Sequence, residues 1–199
     1  MKKPCLALVA GLFSVSAFAA QGDILARFRV IDVKPEVSSD KTLQQLGTTV
    51  NSDVVPELDF TYMITDHIGT ELILGTSRHE LSSSIGSLGS VSVLPPTLTL
   101  QWHFDAMGPF LPYVGAGINY TRFYNSGLHA GSQNVNIDKN SFGPALQIGT
   151  DYTINKKLFL NVDIKKLYIK TKATLDDGTD LGTLKINPWV FGVGVGTTF

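Results

Sequence analysis

Thiol chemistry is almost missing from this chain. Its one cysteine, Cys5, lies in a stretch that reads as a cleavable leader. Lys2 and Lys3 form a positive n-region, residues 6–15 a short apolar core, and Ala17-Phe18-Ala19 a small-residue cleavage site. The expected organisation is therefore a signal peptide, 1–19, followed by a mature domain, 20–199. With Cys5 gone, that domain would have no disulfide, no thiolate metal site and no cysteine nucleophile. A basic excess is missing too. The chain carries a formal charge of −1, and losing Lys2 and Lys3 lowers its 16 basic residues by two against 17 acidic ones. That balance argues against nucleic acid as a partner. Long apolar runs are also lacking: no mature stretch approaches the ~18 residues a spanning helix needs. Crossing a bilayer with such a chain would require a closed β-barrel, which satisfies every backbone group from within.

What the chain does have is alternation with a period of two. In residues 189–199, Trp189, Phe191, Val193, Val195 and Phe199 fall on one face and Gly192, Gly194 and Gly196 on the other. A soluble strand would place polar groups opposite its apolar face. Large residues outward and minimal ones inward suit a strand between lipid and a narrow, filled lumen. Phe199, an aromatic last residue, is the expected signal to the barrel assembly machinery.

Seven more alternating segments precede it, at 23–31, 56–64, 70–76, 96–104, 110–122, 141–154 and 157–172. The connections at 32–55, 77–95, 125–140 and 173–185 are long, and those between are short. The predicted fold class is all-β: an eight-stranded antiparallel transmembrane barrel with short periplasmic turns and longer extracellular loops, in the Gram-negative outer membrane. Outward aromatics bracket two strands at Phe142 and Tyr152 and at Trp189 and Phe199. Ten residues at ~3.3 Å and a tilt near 40° span about 25 Å, the height of an outer-membrane apolar band. Trp102, Phe104, Tyr152 and Phe199 form the expected periplasmic girdle, and Tyr120, Phe142, Tyr168 and Trp189 the outer one. The same parity turns Arg27, Arg29, Asp59, Glu71, Asp151, Asp163 and Lys165 inward as a lumen charge network. Slipping a strand by one residue would place these groups in lipid.

Several stretches resemble the OmpW family of outer-membrane proteins. They are Leu58-Asp59-Phe60-Thr61-Tyr62-Met63-Ile64-Thr65-Asp66-His67-Ile68-Gly69, Leu94-Pro95-Pro96-Thr97-Leu98, Pro112-Tyr113-Val114-Gly115-Ala116-Gly117-Ile118-Asn119-Tyr120-Thr121, Gly149-Thr150-Asp151-Tyr152-Thr153-Ile154-Asn155 and Asn187-Pro188-Trp189-Val190-Phe191. The resemblance implies a barrel with an apolar passage, which small hydrophobic molecules enter from outside and leave sideways into the membrane. It also implies that some members serve as phage or bacteriocin receptors. An apolar constriction residue of the family corresponds to Ile73 here, and the family's tryptophan position to Lys165. That lysine either pairs with Asp163, Asp151 or Glu71 in a plug, or selects ligands that carry a carboxylate.

Pro95-Pro96 breaks ladder pairing, because proline cannot donate. With apolar Leu94 and its neighbours, it marks either a gap in a greasy vestibule or a cap folded over the mouth. The expected ligand path thus runs through Ile73, Lys165, Leu94, Pro95 and Pro96. A plugged structural or receptor barrel is the alternative function. A lipid-modifying enzyme is a further one, although no histidine forms a close pair with serine on a lipid-facing strand end. His129-Ala130-Gly131-Ser132 comes nearest. Asp176-Asp177-Gly178-Thr179-Asp180 lacks the distal glutamate of a calcium loop and reads as an acidic turn. No catalytic residue, metal site or cofactor is expected.

Overall fold

The computed structural model describes residues 19–199, so nearly all of the expected leader, with Lys2, Lys3 and Cys5, lies outside the described residues. In chain order the elements are β1 (Ile24–Lys34), β2 (Ser38–Ser39), α1 (Lys41–Gln45), β3 (Thr49–Val50), β4 (Asp53–Met63), β5 (Ile68–Gly75), β6 (Ser77–Ser83) and β7 (Gly86–Leu94). There follow β8 (Thr97–His103), β9 (Phe110–Ala130), β10 (Gln133–Ile137), β11 (Asn140–Thr153), β12 (Leu158–Leu167), β13 (Lys170–Leu175), β14 (Asp180–Lys185) and β15 (Trp189–Thr198).

Strands β1, β4, β5, β8, β9, β11, β12 and β15 pair antiparallel in that order. β15 then pairs back onto β1 from Leu25↔Thr198 to Lys34↔Trp189, and the barrel closes. These are the eight expected segments, with ends shifted by a few residues. Their faces follow the expected parity. Phe28, Phe60, Leu100, Ile148, Val162 and Val193 point outward, while Arg27, Arg29, Asp59, Glu71, Asp151 and Asp163 are buried. Cross-strand aromatic pairs mark both rims, Phe110 with Tyr152 at 5.2 Å and Tyr120 with Phe142 at 4.8 Å. At the outer rim Lys166 Nζ also sits 4.8 Å over Trp189 and bonds Glu36 at 2.5 Å, which holds the Glu36 carboxyl below its usual range.

Two features depart from the sequence reading. The seventh segment is not continuous over 157–172; it breaks between β12 and β13 at Tyr168 and Ile169. Leu167 N donates to the Pro188 carbonyl and Tyr168 N to the Pro144 carbonyl. Neither proline can return a bond, so the ladder loses a rung on each side. The long connections are also more ordered than loops. β6 and β7 form a hairpin above β5 and β8, β9 runs for 21 residues, and β10, β13, β14 and β2 form a second raised sheet. Helix α1 lies against β14 and β2 and buries Leu43.

Val193 stands midway between the two girdles and is 60% exposed on the lipid face. Val193→Lys is expected to lower folding stability by about 2–4 kcal/mol, the cost of a lysine at the bilayer midplane. Urea unfolding in lipid vesicles measures it.

Candidate functional site: an ionic plug beneath an apolar vestibule

The axis of the barrel is filled by ions. Arg27 grips Asp151 through Nε and Nη2, at 3.2 and 2.8 Å, and its Nη1 reaches Asp59 at 3.1 Å and Thr61 at 2.8 Å. Arg29 Nη2 donates to Glu71 at 3.1 Å, and Nη1 to Asn161 at 3.1 Å. Arg29 Nη2 also lies 2.6 Å from Asp59, and Nε 2.9 Å from Glu57, as ion pairs without hydrogen-bond alignment. Lys165 Nζ bonds Glu57 Oε1 and Asp163 Oδ1, each at 2.7 Å. Gln101 and Gln147 complete the seal on Glu71 and Asp163 at 2.8 Å each. The Tyr113 and Phe159 rings flank the Arg27 guanidinium at 5.3 and 5.4 Å.

The bare face of β15 now has a reason. A methyl at Gly194 would collide with the Phe28 carbonyl and Arg29 Cα, and one at Gly196 with the Phe159 ring. The last strand gives up side chains so that the neighbouring arginine and aromatic can occupy the axis.

The expected charge network is thus assembled around both arginines. Of the two readings for Lys165, pairing is the one the geometry displays, with Asp163 as partner and Glu57 as a second. Glu57 was not singled out, although it shares the parity of Asp59 and Thr61. It lies at the upper end of its strand, where alternation weakens as a signal.

Above the plug lies a cavity of ≈ 100 Å³, with room for several waters or a small apolar molecule. Its walls are mostly aliphatic: Ile31, Val91, Val93, Leu167, Ile169 and Val190 are among them. Ile73, Glu57, Lys165 and Thr97 belong to both cavity and plug region, and Pro95 also lines the cavity. Leu94 does not: it is 38% exposed and turned outward, and Val93 takes the inward place. Pro96 is half-buried, and its carbonyl accepts from Tyr120 N at 3.0 Å, which laces the wall beside the two prolines.

The wall is looser elsewhere. β9 and β10 pair at their tip, Gln133↔Ala130 and Asn134↔His129, and meet again where Phe123 N donates to the Lys139 carbonyl at 2.8 Å. Between these points Tyr124, Gly127 and Leu128 pair with β7, and residues 124–128 have no ladder partner on β10. A second cavity of ≈ 540 Å³ fills the gap, and it shares Phe123, Leu128, Val135 and Ile137 with the first.

A serine–histidine pair was also hidden. Ser77 Oγ and His79 Nε2 are 2.9 Å apart, both buried on the cavity wall. They sit two apart on one strand, a spacing that would have revealed them had β6 been read as a strand. His129 is exposed near the tip of β9. Phe199 is 76% exposed, with its backbone paired to Ile24 in both directions.

A closed eight-stranded barrel with an apolar, aromatic-rimmed exterior and an ionic axis is a transmembrane barrel of the Gram-negative outer membrane. The chain belongs to the OmpW family, whose model matches residues 20–199. It is 39% identical to outer membrane protein W of Vibrio cholerae over 98% of this chain and 97% of that one. The crystal structure of OprG from Pseudomonas aeruginosa is 30% identical and superposes with a TM-score of 0.76, covering 90% of this chain and 97% of that one. A dibenzothiophene metabolism operon protein, PahQ of Pseudomonas aeruginosa, is 32% identical over 71% of this chain and 69% of its own.

Removing one partner from a buried ionic network leaves the others uncompensated. Arg29→Met is expected to destabilise the barrel by about 3–5 kcal/mol, read as a lower urea midpoint in detergent.

Proposed function

We propose that this barrel takes up small hydrophobic molecules from outside by passive partition into the vestibule and releases them sideways. The observation that carries this reading is an aliphatic cavity that ends on an ionic floor and shares Phe123, Leu128, Val135 and Ile137 with a second cavity in its side wall. Burial supplies the drive, with ~0.8 kcal/mol gained per CH₂ leaving water. The floor supplies the direction, because an apolar molecule gains nothing by entering a packed set of ion pairs. Kinship with a protein named for dibenzothiophene metabolism supports an apolar cargo.

The path runs past Ile73, Lys165 and Pro95 at the base of the cavity and leaves between β9 and β10. That gap begins four residues above Tyr120 of the outer girdle. At ~3.3 Å per residue and the usual tilt it opens about 10 Å above the girdle, among the polar groups of the outer leaflet. Leu94 and Pro96 lie on the outer wall below it, where a released molecule would meet lipid. Phe199 is proposed to act earlier, as the residue read by the barrel assembly machinery, after a leader comprising residues 1–19 has been removed.

Gly127 borders the gap, and a Cβ there would meet nothing within 4 Å. Gly127→Trp should therefore fold normally, yet slow entry of a neutral apolar fluorophore into protein-containing vesicles by about tenfold. Uptake that is no faster with the native protein than without it would overturn the reading.

A further inference from the structure

We propose that the cavity floor is a subsite for a primary ammonium head carried on an apolar body, with Glu57 as its anchor; this rests on the uptake reading and names the ligand class. The directions of the hydrogen bonds in the wall lead there. His79 Nδ1 lies 2.9 Å from the Asn51 carbonyl, which can only accept. Nδ1 therefore carries the proton, and Nε2 accepts the hydroxyl proton of Ser77. The other hydroxyls of the wall are committed in the same way. Thr48, Thr76, Thr97 and Thr171 each donate to a backbone carbonyl, those of Leu43, Val93, Pro95 and Asp138, at 3.1, 3.2, 2.9 and 3.0 Å. None of these hydroxyls has a proton left for the cavity, and Thr97 Oγ1 already accepts from Asn119 Nδ2 at 2.7 Å. Lys165 gives two of its three protons to Glu57 and Asp163.

Charge points the same way. Around the floor Arg27, Arg29 and Lys165 face the carboxyl groups of Glu57, Asp59, Glu71, Asp151 and Asp163, so acidic groups outnumber basic ones. Glu57 Oε1 takes both Lys165 and Arg29, whereas no hydrogen bond reaches Oε2 among the described residues. An accessible carboxylate oxygen on a buried side chain, at the base of an apolar cavity, matches a head with several N–H donors and a positive charge on an apolar body. A carboxylate head meets repulsion at the same place, and a plain hydroxyl can supply one donor. Lys165 is thus tied to the floor by two of its three protons, and both of its partners are carboxylates.

The test uses the full mature protein in phosphatidylcholine nanodiscs, with empty nanodiscs subtracted. The neutral fluorophore 1-N-phenylnaphthylamine reports occupancy, and n-hexylamine, 1-hexanol and hexanoate compete with it. The expected result is displacement by hexylamine at a concentration at least tenfold below that of hexanoate, with hexanol between them. Glu57→Gln should abolish the advantage of the amine over the alcohol, read as the ratio of their displacement midpoints. Lys165→Met, which removes one of the two cations on Glu57 Oε1, should enlarge that advantage. Equal potency of hexylamine and hexanol on the native protein, or a preference for hexanoate, overturns the ammonium subsite and leaves the uptake reading standing. Absence of fluorophore binding to the native protein overturns the uptake reading, and the subsite with it.

Discussion

Two guanidinium groups on one strand organise this molecule. Arg27 and Arg29 project from β1 to the barrel axis, and their carboxylate partners come from β4, β5, β11 and β12. Each carboxylate would be costly to bury alone, and each arginine likewise. Assembled, they form a set in which every strand contributing a charge has its register checked against the others. A shift of one residue on any of these strands would send an ion into hydrocarbon and an apolar side chain into the plug. The same packing fills the axis directly beneath the aliphatic cavity.

The chemistry changes within one layer of residues. Just below Ile73 and Val190 the interior is ionic, with Leu25, Met63 and Phe159 beneath the ions; above them it is aliphatic. Glu57 and Lys165 lie at that boundary and belong to both regions. Their position is what gives an otherwise greasy chamber a polar end. The raised sheets make the chamber possible, since hydrogen-bonded strands can hold an apolar lining open to the outside where unpaired loops would collapse upon it.

Much of this was legible in the sequence, and for one reason. Lipid outside and a crowded axis inside impose opposite demands on alternate residues, so parity revealed the eight strands, the girdles and the charges of the lumen apart from Glu57. Three things escaped it. The segment around Ser77 and His79 faces solvent on its other side, and its alternation of small polar residues looks like a loop. The break at Tyr168 depends on Pro144 and Pro188, which are distant in sequence and adjacent only once the barrel forms. The unpaired stretch of β9 depends on where β10 rejoins the wall, and no local composition records that. The two prolines at 95 and 96 drew attention as a breach, but a carbonyl can still accept, and Tyr120 uses Pro96 in that way.

The glycines of β15 carry a meaning for how the barrel is made. The first and last strands of the cylinder meet at a single seam, and one edge of that seam bears the arginines while the other bears the clearance for them. Until the two edges join, Arg29 has no cover on that side. Zipping the seam is therefore the same event as withdrawing the charged axis from water. An unfinished barrel keeps its ions wet, and a finished one cannot reopen without exposing them.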